Sequence, residues 1–116
     1  MSLTLFLSKA ILCVASQCWP VLVGKDTPPP GIYPVVQRLT EDPGYGGDVL
    51  QFHEDSKTVY AIHRLWTLNP KEKRASRLAD PNPKNRIITN GCVNVDPLVY
   101  NYLAANYRNS VLEIIE

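Results

Sequence analysis

The chain has 116 residues, of which 45% are hydrophobic and 20% are charged, and its formal net charge is +1. This size and composition predict one globular domain, residues 1–116, that can bury a real core. The balanced charge gives no field that would steer the chain to nucleic acid or anionic lipid, so we expect no nucleic-acid partner.

The N-terminal third is predicted to form short strands. Residues 1–19 are apolar enough to suggest a secretion signal, but Lys9 interrupts the run, which has no basic start and no clean cleavage site. The apolar stretch is also too short to span a membrane. Its apolar runs predict strands, with a hairpin turn at Ser16-Gln17. The predicted strands are 3–7, 11–15 and 19–23.

The three cysteines leave the redox compartment open. Cys13 and Cys18 would face each other across a tight hairpin, but along one strand their five-residue step would put them on opposite faces. Cys92 is a free thiol in any pairing that spares it.

The middle of the chain alternates loops and strands. Pro28-Pro29-Pro30 cannot pair in a ladder and predicts a loop over 25–31. A glycine-rich second loop covers 41–48 and contains Tyr45. Strands are predicted at 32–37, 49–53 and 57–63, the last two joined by a hairpin around Glu54-Asp55-Ser56.

Two helices are predicted in the C-terminal half. Asn69-Pro70 begins a short helix over 71–78, whose four basic residues either face solvent or meet carboxylates of a ligand. Asp96-Pro97 begins a second helix, and a final strand follows at 110–115. The apolar stripe expected to pack this second helix on the core is Leu98, Val99, Tyr102 and Leu103.

Cys92 is the candidate nucleophile. It follows Gly91, which permits a tight turn and leaves the approach to the cysteine open. The backbone amides of Asn90, Gly91 and Cys92 would then point at a developing oxyanion. The alternative is a buried structural cysteine at a strand end. His63 ends an upstream strand and is the candidate general base, since its ordinary pKa suits proton transfer at neutral pH.

These residues resemble a known family. The run from Thr89 to Asn94, Thr-Asn-Gly-Cys-Val-Asn, resembles the signature of L,D-transpeptidases of the YkuD type. That signature is serine or threonine, usually histidine, then glycine, cysteine, an apolar residue, and asparagine or arginine. Ala61-Ile62-His63 resembles the strand that ends on the family's catalytic histidine. The segment 23–33 resembles the family's glycine, Thr-Pro, glycine and aromatic segment.

Two departures from the family pattern concern the surroundings of the site. Asn90 stands where many members have histidine, although that position contributes chiefly its backbone. The separation between His63 and Cys92 is longer than the commonest pattern, so residues 64–88 form an enlarged loop. This long loop resembles a sub-branch of the family whose loop ends in an Asn-Arg-Ile step, such as Asn85-Arg86-Ile87.

The resemblance implies a mainly β, mixed sandwich or barrel-like fold with one packed C-terminal helix and a short helix in the active-site loop. It also implies cysteine-dependent acyl transfer on peptidoglycan stem peptides. In that reaction Cys92 attacks the carbonyl after the diamino acid and releases the terminal D-alanine, while His63 takes and returns the proton. No cofactor and no metal are expected, and the chain is expected to be a monomer.

Four further residues are candidates for binding substrate or shaping the site. Thr89 either orients His63 or holds the turn, and Asn94 would fix the nucleophile loop. Arg86 either anchors a substrate carboxylate or pairs with a neighbouring aspartate. Tyr45 either contacts the donor substrate or is a surface residue of a mobile loop.

Several alternatives remain open at this point. With water as acceptor, the same chemistry gives an L,D-carboxypeptidase, which would suit a delivered antibacterial effector or a phage-borne enzyme. A non-catalytic wall-binding module would keep the groove without a reactive thiol. A metal site formed by Cys92, His63, His53 and an acidic residue is disfavoured, because no close ligand pair occurs. The expected location is the periplasm or cell envelope, reached through a removed leader or another export route.

Overall fold

A computed structural model describes all residues from 1 to 116. The chain forms eleven strands and two α-helices, together with three short 3₁₀ turns. The elements are β1 (Ser2–Phe6), β2 (Ile11–Val14), β3 (Gln17–Pro20), β4 (Val23–Gly24), β5 (Gly31–Pro34), β6 (Val36–Leu39), β7 (Asp48–Glu54), β8 (Val59–Arg64), α1 (Arg74–Leu78), β9 (Ile87–Thr89), β10 (Val93–Val95), α2 (Pro97–Tyr107) and β11 (Val111–Ile115).

The strands form three sheets. A five-stranded sheet has the order β3-β2-β1-β11-β5, a four-stranded sheet has the order β10-β8-β7-β6, and β4 pairs with β9 alone. Apolar residues alternate along β1 and β11, so that Leu3, Leu5, Leu112 and Ile114 point into the core and are almost fully buried. This alternation is what period-two side-chain geometry requires of a sheet that covers a core on one face. The prediction of a mainly β fold is confirmed.

Strand β8 carries the candidate base into the middle of the four-stranded sheet. It pairs with β7 as the predicted hairpin, whose turn is held by Asp55 Oδ1 accepting from the amides of Lys57 and Thr58. On its other side β8 pairs in parallel with β10, so that Asn94 lies beside His63. The sheet register therefore places the end of the cysteine motif next to the histidine strand.

The predicted strand over 32–37 is wrong as a single element. It is divided between β5, which joins the five-stranded sheet, and β6, which joins the four-stranded sheet. Between them Val35 is buried and its amide donates to the carbonyl of Ser110. A continuous apolar run does not reveal such a change of sheet, because both halves have the composition of a strand.

The helices also differ from the sequence-based expectation. The helix predicted over 71–78 is a 3₁₀ turn, Pro70–Glu72, followed by α1, and Lys73 separates them with a φ of 51°. In α2 the predicted apolar stripe is correct for two of its four residues, since Leu103 is buried and Val99 packs against the core. Leu98 and Tyr102 are instead exposed, at 78% and 44%. Tyr100 and Leu103 are the residues that α2 buries.

The cysteines of the first hairpin are paired. Cys13 in β2 lies directly opposite Cys18 in β3, and the two form a disulfide, which resolves the alternatives in favour of the hairpin. Cys92 is the free cysteine. Neither helix has the length and apolar character that a membrane-crossing segment needs.

Candidate active site

The Cys92 side chain lies at the point where the β8–β10 ladder ends. Its Sγ atom is 3.7 Å from the carbonyl oxygen of Val59, to which the thiol donates. The residue is half-buried. The sulfur thus contacts the first residue of β8, ahead of the residues that pair with β10.

His63 is almost fully buried, with 2% of its surface exposed. Its Nδ1 atom lies 2.7 Å from the carbonyl oxygen of Arg64, and its Nε2 atom lies 3.3 Å from Nδ2 of Asn94. The ring of Tyr45 packs edge-on against the imidazole at a centroid distance of 4.5 Å. No hydrogen bond joins His63 to Cys92 in this arrangement.

Burial shifts the pKa values of both groups so that the neutral form of each is favoured. Desolvation lowers the pKa of His63 from 6.5 to about 4, although the hydrogen bond to the Arg64 carbonyl opposes this change. Desolvation raises the pKa of Cys92, whereas the Ala61 amide and the charge of Arg74 lower it. At neutral pH the resting pair is therefore an imidazole and a thiol rather than an imidazolium and a thiolate.

Two open clefts meet at these residues. Cleft A, with a volume of about 320 Å³, is bounded by residues 38–42 and by one face of β8. Cleft B, with a volume of about 250 Å³, is bounded by the turn of the cysteine motif, residues 89–92 (the motif turn), and by the long loop, residues 64–88. Four residues line both clefts: Tyr45, Val59, His63 and Cys92. A substrate that spans the two clefts would pass over the thiol.

The motif turn is fixed by the hydroxyl of Thr89. This hydroxyl donates to the carbonyl of Cys92 at 2.6 Å and accepts from the amide of Gly91 at 3.2 Å. The φ of Gly91 is +122°, and a Cβ there would lie 2.6 Å from the Tyr60 ring, so glycine is required at this position. Of the two roles considered for Thr89, these contacts are those of a residue that holds the turn.

The same hydrogen bond changes the oxyanion assignment. Because the amide of Gly91 donates to Thr89, it is not free to meet a substrate oxygen. The amides of Asn90 and Cys92 donate to no protein acceptor, and both residues line cleft B. These two amides are the ones left for an oxyanion, whereas the sequence suggested three.

A segment far earlier in the chain also stabilises the motif turn. Thr27 donates from its hydroxyl to the carbonyl of Gly91 at 3.1 Å and accepts from the amide of Gly24 at 3.0 Å. Gly24 approaches the motif so closely that a Cβ would lie 2.0 Å from the carbonyl oxygen of Thr89. The Gly24–Thr27 segment belongs to the stretch singled out in the sequence, but Thr27 was not recognised there as a site-shaping residue.

Of the remaining candidate residues, two lie at the site and one does not. Asn94 is fully buried and hydrogen-bonds to His63, and Tyr45 lies against His63 in both clefts. Arg86 is not brought to the site, because its buried guanidinium donates to the carbonyls of Asp80 and Lys9 and lines neither cleft. Arg86 pairs with no aspartate carboxylate, and its position away from both clefts favours a structural role over contact with a substrate.

Two arginines of the site were missed. Arg64 donates to the carboxylate of Asp48 at 2.9 Å and to the carbonyl of Tyr45 at 3.2 Å, so it holds the Tyr45 loop. Arg74, in the long loop, donates to Asn94 at 2.9 Å. Nothing in the spacing of the sequence distinguishes Arg74 from the other basic residues of its segment.

Comparisons with known proteins give the fold. The sequence matches no protein-family model, and no curated protein is significantly similar to it. The Ldtfm–avibactam carbamoyl enzyme has a TM-score of 0.67 and 12% identity, covering 99% of this chain and 48% of that one. An L,D-transpeptidase from Mycobacterium smegmatis has a TM-score of 0.62 and 12% identity, covering 99% and 58%. Bd1075 of Bdellovibrio bacteriovorus has a TM-score of 0.59 and 17% identity, covering 99% and 47%.

The chain therefore has the fold of L,D-transpeptidase catalytic domains of the YkuD type, as its motifs predict. It spans about half the length of the solved structures that it resembles. At this level of identity the likeness concerns the fold, and the activity has to be argued from the site itself.

Proposed function

We propose that the chain is a single catalytic domain that transfers acyl groups of peptidoglycan stem peptides through a thioester on Cys92. One observation carries the proposal: Cys92 and His63 line the same two open clefts, and the imidazole is oriented by a backbone carbonyl. A nucleophile, a base and an orienting group within one cleft are the parts that covalent acyl transfer requires. The orienting group, which completes a triad with Cys92 and His63, is the backbone carbonyl of Arg64.

The proposed reaction begins when the thiol turns from the Val59 carbonyl toward Nε2 of His63 and the Asn94 amide releases that nitrogen. The sulfur attacks the carbonyl carbon of the diamino acid as the Sγ proton passes to Nε2, and the Asn90 and Cys92 amides hold the oxyanion. The proton then passes from Nε2 to the leaving amine of D-alanine, which leaves a thioester. An acceptor amine attacks the thioester and gives its proton to Nε2, and Cys92 departs as a thiolate that recovers this proton.

The identity of the acceptor defines the activity. A diamino-acid side chain as acceptor gives a cross-link, a D-amino acid gives exchange, and water gives L,D-carboxypeptidase action. Such a substrate is found in the periplasm or cell envelope. The Cys13–Cys18 disulfide supports that location, since disulfides persist in oxidising compartments.

A purified tetrapeptide muropeptide, incubated with and without a D-amino acid and analysed by mass spectrometry, distinguishes these outcomes. We expect loss of the terminal D-alanine, with exchange when the D-amino acid is present; simple trimming would identify a carboxypeptidase. The C92A variant should form no thioester, and H63Q should lose activity by about 10²-fold or more. H53Q is the matched control, because His53 is exposed and lines neither cleft.

A covalent probe tests the nucleophile separately. We expect avibactam to carbamoylate this chain at Cys92, since Ldtfm forms a carbamoyl enzyme with it. If the protein binds peptidoglycan but neither the muropeptide nor avibactam modifies Cys92, the wall-binding alternative replaces the enzyme. Toxicity on expression in the periplasm, absent on expression in the cytoplasm, would indicate the effector role.

A further inference from the structure

Arg74 begins helix α1 in the long loop, yet its guanidinium lies at the candidate active site. Its side chain is 10% exposed and its Nε atom is 2.8 Å from a carboxylate oxygen of Glu72. The guanidinium also lies over the Trp66 ring, at 5.0 Å from the ring centroid. An ion pair and an aromatic contact of this kind hold a planar cation in one orientation.

The third contact of Arg74 is with Asn94. Its Nη1 atom donates to Oδ1 of Asn94 at 2.9 Å, and the amide of Trp66 donates to the same oxygen at 3.2 Å. Two donors on one side fix which end of the Asn94 amide is the oxygen. The nitrogen end therefore faces Nε2 of His63, at 3.3 Å.

The imidazole is suited to receive this contact. Because Nδ1 of His63 lies against the Arg64 carbonyl, Nδ1 carries the proton and Nε2 carries the lone pair. Nε2 accepts from Asn94 in the resting arrangement, and once this contact is released it is also the atom that would take the Cys92 proton. The contacts thus run from the long loop through Asn94 to the basic nitrogen.

We propose that Arg74 is a positioning residue for the acyl transfer, because it orients the Asn94 amide and through it the imidazole of His63. The catalytic meaning of this role rests on the proposed function, but the contacts themselves do not. The long loop is then part of the catalytic apparatus rather than only a cover over cleft B. Arg74 contacts Asn94, not the reacting atoms.

The charge of Arg74 gives this role a measurable signature. Its positive charge lowers the pKa of His63 and also that of Cys92. Other titratable or charged groups that line the two clefts are Arg38, Glu41, Asp42, Tyr45 and Glu72.

Removal of the Arg74 charge should raise both pKa values. Opening of the loop to water should instead raise the pKa of His63 and lower that of Cys92, because burial shifts their pKa values in opposite directions. The direction of the Cys92 change separates the two explanations.

The experiment compares R74Q and R74K with R77Q in the full chain. Arg77 lies in the same helix, but it donates to the carbonyls of Glu72 and Asn85 and not to Asn94. The pKa of Cys92 is measured from the pH dependence of alkylation by iodoacetamide, since Cys92 is the one free thiol. The pKa of His63 is measured by NMR of the side-chain nitrogens.

We expect R74Q to raise both pKa values and to slow alkylation roughly threefold or more near pH 8. With the muropeptide, kcat should fall by about 10²-fold with little change in KM, because misorientation of the base affects the chemical step. R74K should keep the Cys92 pKa but still lose kcat, since an ammonium does not reproduce the planar fork. R77Q should change neither quantity.

Three results would overturn the proposal. One is a lower Cys92 pKa in R74Q, which would mean that the loop had only opened. Another is the same change in R77Q as in R74Q, and the third is full kcat in R74K. Thermal unfolding followed by circular dichroism shows whether each variant is folded, and R74K carries the test if R74Q is not. If the pKa values shift as expected but the parent protein never acylates Cys92, the proposed function fails and the orientation by Arg74 stands.

Discussion

The Nδ1 atom of His63 lies 2.7 Å from the carbonyl oxygen of Arg64, its own neighbour in the chain. The Arg64 side chain is held in turn by Asp48 at 2.9 Å, and its guanidinium lies over the Tyr100 ring. Tyr100 completes the cluster by donating its hydroxyl to Asp48 at 2.8 Å. The backbone therefore sets the tautomer of the imidazole, and a partly buried ion pair supports that backbone.

Acid should weaken the fold through His63. Burial lowers the pKa of this residue from 6.5 to about 4, so between these values the unfolded chain binds a proton that the folded chain does not. The free energy of unfolding should then fall by about 3 kcal/mol as the pH decreases from 6.5 to 4. Urea unfolding at several pH values measures this slope. H63Q should lose this contribution and H53Q should keep it; an unchanged slope in H63Q would assign the acid sensitivity to other groups.

Tyr45 should control the access of water to the same imidazole. Its ring packs edge-on against His63, so Y45A should expose the imidazole and raise its pKa toward 6.5. Y45F keeps the ring and should leave the pKa of His63 close to its parent value. NMR titration of His63 in the two variants gives the comparison, and equal shifts in both would show that the hydroxyl rather than the ring is responsible.

Gly24 should tolerate no side chain. A Cβ there would lie 2.0 Å from the carbonyl oxygen of Thr89 and 2.9 Å from the amide nitrogen of Gly91, and both are backbone atoms that cannot rotate away. G24A should lose about 3 kcal/mol of unfolding free energy and displace the motif turn. G31A is the control, since its Cβ would make ordinary contact with Tyr33 at 3.5 Å. Denaturant unfolding of both variants tests this, and similar stabilities would contradict it.

The Thr89 hydroxyl should be needed for both stability and reactivity. T89V removes the bond to the Cys92 carbonyl and leaves the Gly91 amide without its acceptor, which should cost about 2 kcal/mol. T89S retains the hydroxyl and should stay close to the parent. Unfolding free energy and the rate of Cys92 alkylation are measured together. Parent-like behaviour of T89V would show that the turn is held by other contacts, such as that of Thr27 with Gly91.

The sequence predicted the parts of this site that depend on local pattern. The β7–β8 hairpin, the helix that begins after Asp96 and the tight turn at Gly91 are properties of short segments, and each was found where it was predicted. The change of sheet at Val35 and the inward position of Arg74 were not predicted. Both depend on contacts with residues that are distant in the sequence, and the neighbouring residues do not indicate those contacts.

The hydrogen bond between Thr27 and Gly91 joins residues separated by 64 positions in the chain. Contacts of such long sequence separation carry a loop-closure cost, which slows folding. A nascent or unfolded molecule therefore carries an ordinary cysteine thiol at position 92, outside the turn and the clefts of the folded chain and away from His63. The candidate site therefore forms only with the tertiary structure, so we expect the rate of Cys92 alkylation to report on refolding.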